Sequence, residues 1–218
     1  MIPLELQEQL RQKYNPEGSD LRILQSHLLL LLDYFDQICK DNNINYWLSS
    51  GTCLGAVRHG GFIPWDDDID VEMSRDDYLK FKKIFKNCEK YVLQTYENDL
   101  FYTEPFPKLR LCNTFVKEGT VSSLYKHNGL FMDIFIMERS NALTAHFCHF
   151  LVGGLRYLSH CYHQPGKFSV FLFRGLKKCV FGIVDCMRSL YFLSKKDELR
   201  HTIGTGVVKN IRKSSDIF

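Results

Sequence analysis

Four carboxylates fall within five residues in Gly61-Phe62-Ile63-Pro64-Trp65-Asp66-Asp67-Asp68-Ile69-Asp70. Like charges this close repel one another, so water, a solvated face or a cation must make the crowding tolerable. Asp68-Ile69-Asp70-Val71-Glu72-Met73 alternates polar with apolar, as a half-buried strand does. On such a strand Asp68, Asp70 and Glu72 share one face, while Ile69 and Val71 enter the core. Two carboxylates spaced this way converge on one small volume, and a divalent cation is the natural way to hold them there. Mg²⁺ (or Mn²⁺) suits the site, because a hard cation takes oxygen ligands from one or two carboxylates plus substrate phosphates. A third acid stands apart. Residues 130–137 read LFMDIFIM, wholly apolar but for Asp133. Burying that carboxylate unpaired is costly, and a neighbouring strand bearing the Asp68 and Asp70 site would satisfy it.

Other readings of the acidic run are weaker. A solvated loop is the usual fate of clustered acids, but it leaves the apolar alternation and Asp133 unexplained. In an EF-hand, Asp66, Asp68 and Asp70 would fill positions 1, 3 and 5, yet Val71 stands where that loop requires glycine. A plain turn or helix start after Pro64-Trp65 does not account for Ile69 and Val71. Upstream, Gly51-Thr52 opens a short helix behind a strand, where backbone N–H groups form a phosphate cradle. A lone Gly-Thr says little; followed by Asp-Ile-Asp-Val it says considerably more.

The elements that must position these residues are legible in part. Leu21, Leu24, Leu28, Leu31, Phe35 and Ile38 recur at steps of three and four, predicting a helix over 20–40 capped by Ser19 or Asp20. Residues 44–48 read as a strand, 49–52 as a turn and 53–58 as a short helix closed by His59-Gly60-Gly61. A strand over 68–73 leads into Ser74-Arg75-Asp76-Asp77, whose capping-box spacing opens a helix to about residue 87. Residues 91–95, 106–111, 114–117 and 130–137 are further expected strands. From residue 142 the character changes to two helices with broad apolar faces, broken at Gln164-Pro165-Gly166. His146, His149, Arg156, His160 and His163 share one stripe. Lys167, Arg174, Lys177, Lys178, Asp185, Arg188, Lys195 and Lys196 share another. The paired histidine spacing could support zinc, but a solvated or interface stripe is the better reading. The fold class expected is therefore α+β: a mixed sheet flanked by helices over 1–138, then a basic helical hairpin over 139–218.

Composition narrows the partners. Net charge over 218 residues is only +3, which does not suggest a general nucleic-acid binder. The sign is split: residues 1–138 hold 15 Lys and Arg against 21 Asp and Glu, and residues 139–218 hold 13 against 4. An acidic first part and a basic second part suggest two jobs. The basic hairpin, residues 141–200, is a candidate for peripheral association with an anionic membrane. Packing on the rest of the protein is its competing reading. Eight cysteines form no CxxC pair, so reduced thiols and a cytoplasmic setting are expected. No signal peptide or clear spanning segment is present.

The stretch from Tyr46 through Asp70, YWLSSGTCLGAVRHGGFIPWDDDID, resembles the signature of the LicD family. The resemblance continues through Asp77-Tyr78, Lys108-Leu109-Arg110, Asn113-Thr114 and Gly129 to Phe135. It covers roughly residues 20–138. It implies a nucleotidyltransferase-like fold and a phosphotransferase related to fukutin-type ribitol-phosphate transferases. Members known best move phosphocholine from CDP-choline onto a bacterial surface glycan, lipopolysaccharide or teichoic acid. By the resemblance, Gly51-Thr52 matches the superfamily's Gly-Ser/Thr element, Asp68-Ile69-Asp70-Val71 its paired aspartates and Asp133 its third carboxylate. Asp68, Asp70 and Asp133 would then hold metal and carry catalysis, Asp133 as general base. Gly51, Thr52, Arg58, Lys108 and Arg110 would meet phosphates, and Asp66 and Asp67 would line the approach or meet a cationic head group. The acceptor would be a hydroxyl of a glycan or of its lipid-linked precursor, with CMP released at the inner face of the membrane. Family members usually continue beyond the point where this sequence stops, which implies a C-terminally incomplete extension. A nucleotidyltransferase releasing pyrophosphate and a non-catalytic nucleotide- or membrane-binding fragment are the competing classes.

Overall fold

The computed structural model describes residues 2–118, 121–140, 142–161, 167–192, 199–201 and 207–208. Helix α1 (Leu4–Tyr14) has no strong apolar pattern and is held by contacts made elsewhere. The Ile2 N–H donates to the Arg58 carbonyl at 2.9 Å, and Tyr14 packs edge-on to Trp65 with ring centroids 5.1 Å apart. Helix α2 (Asp20–Asp41) begins where capping chemistry puts it, with Ser19 Oγ accepting the Arg22 N–H at 3.2 Å. Its apolar stripe, including Leu28, Leu31, Leu32 and Phe35, is buried.

The expected strand over 44–48 shrinks to β1 (Trp47–Leu48), because Tyr46 instead turns into the core and donates its hydroxyl to Asp36 at 2.9 Å. Helix α3 (Ser50–His59) starts three residues earlier than expected and stops at Gly60, which adopts the left-handed conformation. Strand β2 (Asp70–Ser74) starts two residues later than expected. Helix α4 (Arg75–Ile84) follows. Ser74 Oγ accepts the Asp77 N–H at 3.1 Å, the cap that the spacing predicts, and donates to the Asp77 carboxylate at 2.8 Å. Strands β3 (Tyr91–Gln94), β4 (Lys108–Leu111) and β5 (Phe131–Arg139) follow. Residues 114–117 form no strand. Asn113 is left-handed, and Thr114 Oγ1 both donates to the Leu111 carbonyl (2.7 Å) and accepts the Leu130 N–H (2.8 Å), turning the chain away. Helices α5 (Ala142–Cys161) and α6 (Lys167–Phe192) form the expected hairpin, followed by β6 (Leu199–His201) and β7 (Val207–Val208).

The sheet order is β1-β2-β5-β4-β3, with β6 pairing β5 and β7 pairing β6. Among the described residues only the β2–β5 pair is parallel, so the fold is α+β with a mixed sheet. Strand period sorts the side chains. Val71, Met73, Leu109, Met132 and Ile134 are buried in one core cluster with Phe35 of α2 and Phe81 of α4. Each such side chain contributes about 1.5–3 kcal/mol by leaving water. Asp70, Asp133, Lys108 and Arg110 alternate with these core residues and so project from the other face.

The hairpin packs on the loop after β3. Cys148, Val152 and Leu155 of α5 and Phe173, Val180, Phe181 and Val184 of α6 bury against Tyr96, Leu100 and Phe101. Tyr96 stacks on Phe181 with centroids 3.7 Å apart. Lys177 is drawn out of the expected basic stripe into this interface, donating to the carbonyls of Asp99 (2.6 Å) and Leu100 (2.7 Å). Arg188 likewise turns to Asp185 at 2.8 Å. His146, His149, His160, Arg174 and Lys178 are exposed, as expected. Gln164-Pro165-Gly166, His163, Lys195, Lys196 and the side chain of Lys167 lie outside the described residues. Among the described residues no helix is long and apolar enough to cross a membrane, and all eight cysteines are free thiols.

Candidate active site

The sheet register assembles a polar row. Asp70 on β2 is the direct partner of Asp133 on β5, Asp133 of Lys108 on β4, and Lys108 of Gln94 on β3. Direct partners project on one face with Cβ atoms about 5 Å apart, so two acids and a lysine from three strands meet side by side. The start of α3 is bonded to the same place. The Asp70 carbonyl accepts the Ser49 N–H at 3.0 Å, and the Asp70 N–H donates to Thr52 Oγ1 at 2.9 Å. Thr52 is buried, so its hydroxyl serves the backbone of Asp70 rather than facing outward. Glu72, expected beside Asp70, is buried as a scaffold residue instead. It accepts hydrogen bonds from Trp47 Nε1 and Ser49 Oγ, both at 2.6 Å.

The loop before β2 brings the other acids in. Gln25 Nε2 donates to the Asp66 carbonyl at 2.7 Å, and Asp66 N–H closes a turn on the Ile63 carbonyl at 2.9 Å. This sets the Asp66 carboxylate against the first turn of α3. A Cβ on Gly51 would lie 2.7 Å from Asp66 Oδ2, so glycine is what allows the approach. Asp68 lies ahead of the strand, not in it, and reaches the row from this loop. One oxygen from each of Asp66, Asp67 and Asp68 lies within 4.8 Å of the others.

Electrostatics follow the crowding. Burial raises the carboxyls of Asp66 and Asp68, and their acidic neighbours raise them further. Asp70 is pushed up to about 7 by burial, then by the charges of Asp68 and Asp133, against a hydrogen bond from Ser50 that lowers it. Burial also raises Asp133, opposed by Lys108, whose Nζ lies 2.9 Å from Asp133 Oδ1. Asp66 Oδ2 is buried with no hydrogen-bond partner. Carboxylates so gathered, one with an unsatisfied buried oxygen, fit a divalent cation at Asp66, Asp67 and Asp68, whereas the expected ligand set Asp68, Asp70 and Asp133 does not bring its oxygens as close together among the described residues. Among the described residues no histidine belongs to a group close enough to share an ion.

The cations separate. Lys108 Nζ bridges Asp133 and Glu118 (3.0 Å) and sits 3.4 Å from the centroid of the Phe131 ring. Arg110 is wholly buried; its guanidinium bonds Gln94 Oε1, the Gly129 carbonyl and Glu118. A phosphate would have to displace Glu118 to reach it. Arg58 lies at the far end of α3, about 10 Å from Thr52 by helix rise, with its Nε donating to His59 at 2.8 Å. Trp65 is half exposed and packs by its edge on Tyr14 and His59. Ser49, Ser50, Gln94 and Glu118 complete the site without having been expected in it. The serines adjoin Gly51 and offer a weak hydroxyl signal; Glu118 lies in irregular chain and offers none.

Three relatives share this region. The lipopolysaccharide cholinephosphotransferase LicD of Haemophilus influenzae is 41% identical over 121 residues, 54% of this chain and 44% of that protein. The mouse ribitol-5-phosphate transferase FKTN is 35% identical over 69 residues, 32% of this chain and 15% of its own. The human ribitol 5-phosphate transferase FKRP is 50% identical over 57 residues, 26% of this chain and 10% of its own. The chain thus spans less than half the length of each of these relatives. The matched family, described as LicD/FKTN/FKRP, nucleotidyltransferase domain, covers residues 43–171, which include Gly51, the acidic loop, the Asp70–Asp133–Lys108 row, all of α5 and the start of α6; the chain belongs to that family.

Proposed function

We propose that the chain is a metal-dependent phosphotransferase. It moves a phosphocholine-like or polyol-phosphate group from a CDP-linked donor to a hydroxyl of a cell-surface glycan or its lipid-linked precursor, and CMP leaves. The observation that carries this reading is the row Asp70–Asp133–Lys108 set beside the unsatisfied buried oxygen of Asp66. The names of the relatives, a cholinephosphotransferase and two ribitol-phosphate transferases, supply the class of group moved.

Asp66 and Asp68, with Asp70 next to them on β2, would hold Mg²⁺ or Mn²⁺, which when bound would neutralise phosphoryl oxygens. The first turn of α3, opened by Gly51 and Thr52, offers backbone N–H groups to the donor phosphates. Asp133 takes the proton of the attacking hydroxyl. The new oxygen–phosphorus bond forms as the bond to the CMP oxygen breaks. Lys108, paired with Asp133 and Glu118, has a third N–H to offer a phosphoryl oxygen. Asp67, the exposed member of the acidic trio, faces the approach, where a cationic head group would meet it.

The test is incubation with CDP-choline or CDP-ribitol, Mg²⁺ and a glycan acceptor, following CMP. Wild-type protein is expected to release CMP, and Asp70→Asn to lose at least about 100-fold in rate with an unchanged circular-dichroism spectrum. Wild-type rates in Asp70→Asn would remove the site assignment. Pyrophosphate in place of CMP would make the chain a nucleotidyltransferase instead.

A further inference from the structure

The hairpin has an outer surface that its packing does not use. On α5, Leu143, Phe147, Phe150, Tyr157 and Leu158 are exposed and fall in one sector about 100° wide. The buried Cys148, Val152 and Leu155 centre about 130° away. On α6, Leu172, Leu176 and Ile183 are exposed, about 80° round the helix from the buried Phe173, Val180 and Val184. Phe171, 72% exposed, stands within about 60° of the exposed Arg174 and Lys178. Each helix therefore has two apolar faces, one spent on the protein and one outward.

Charge indicates what covers the outward face. Helix α5 contains no carboxylate, and α6 contains only Asp185, which accepts from Tyr96 at 3.1 Å and is neutralised by Arg188 at 2.8 Å. Residues 139–218 hold 13 Lys and Arg against 4 Asp and Glu. Exposed aromatic and aliphatic side chains on a hairpin whose one acid is ion-paired and whose other charges are cations are what a helix lying in the interface of an anionic bilayer presents. No described helix can span one. We infer that the outer face of the α5–α6 hairpin docks on the surface of an anionic lipid bilayer. The docking is independent of the transferase reading, but it would place the candidate site at that surface. Arg156 of α5 pairs with Glu104 at 3.1 Å, and the carboxylate of Glu104 is near enough to feel the charges of Lys108 and Asp133.

Flotation of the full chain with vesicles tests this. Binding is expected to vesicles of phosphatidylcholine containing phosphatidylglycerol, to be much weaker with phosphatidylcholine alone, and to fall with added salt. Arg174→Ala with Lys178→Ala is expected to weaken binding about 30-fold, two cations' share of the surface attraction. Phe150→Glu with Phe171→Glu is expected to abolish it. All four positions are exposed, so melting temperatures should match wild type. No flotation, or equal flotation of wild type and both variants, overturns the inference. A lipid-independent dimer broken by Phe150→Glu also overturns it, giving the face to a second copy of the chain.

Discussion

Gly51 is where one methyl group would disturb the site most. An alanine Cβ there would lie 2.7 Å from Asp66 Oδ2, and the short aspartate side chain would have to swing aside. Gly51→Ala should fold normally but need about tenfold more Mg²⁺ for the same rise in melting temperature, since a ligand that binds the folded state stabilises it by mass action. Asp70 gives a second prediction. Its carboxyl is raised from 3.8 to about 7, so the folded chain keeps a proton that the unfolded chain releases. This contribution to stability is complete below about pH 4 and is lost as pH rises through about 7. In chelator, the melting temperature of wild type should fall across that window relative to Asp70→Asn, and saturating Mg²⁺ should abolish the difference. An identical pH profile for the two proteins would contradict this. Asp70 was legible from the polar–apolar alternation of its strand, and Asp133 because it breaks an apolar run. The different stations of Asp66 and Asp68 were not, because a turn held by Gln25, 41 residues away, sets them.

At the scale of elements, β4 is the least replaceable strand of the site. Its face is built from Lys108 and Arg110, and Glu118 reaches both. Arg110→Met should cost about 3 kcal/mol in urea unfolding, because removing one partner leaves Glu118, Gln94 and the Gly129 carbonyl poorly satisfied in the interior. A loss below about 1 kcal/mol, the range of a surface pair, would show that Arg110 is solvated instead. Elements with strong local signals stand where the pattern put them: α2 with its Ser19 cap, α4 with its Ser74 cap, and the hairpin. The failures are tertiary. Strand 114–117 has suitable residues, but Thr114 spends its hydroxyl on the chain ends of β4 and β5. Helix α3 opens at Ser50 despite its positive φ of 48°, and its start is fixed by bonds to β2 that periodicity cannot express. Helix α1 has little stripe of its own and depends on His59 and Trp65.

Over the whole molecule, the acidic first part and the basic second part are joined at buried polar points, and Lys177 is a charged one. Its ammonium donates to two loop carbonyls while only 5% exposed. Lys177→Met should fill the same space, leave those carbonyls unsatisfied and cost about 2 kcal/mol. Faster amide exchange should appear in residues 95–101 and in α6 but not in β2 or β5. Uniform acceleration across the sheet would mean that the hairpin and sheet unfold as one unit. The register row has a different consequence, for which changes of length the chain tolerates. Asp70, Asp133, Lys108 and Gln94 meet only because four strands hold one alignment, and a one-residue slip in any strand sends its contribution to the opposite face. The connections 95–107 and 112–130 carry no such alignment. Insertions and deletions should therefore be absorbed between the strands, while a single residue added inside β2, β4 or β5 would dismantle the site and turn core residues such as Val71, Leu109 or Ile134 outward with it.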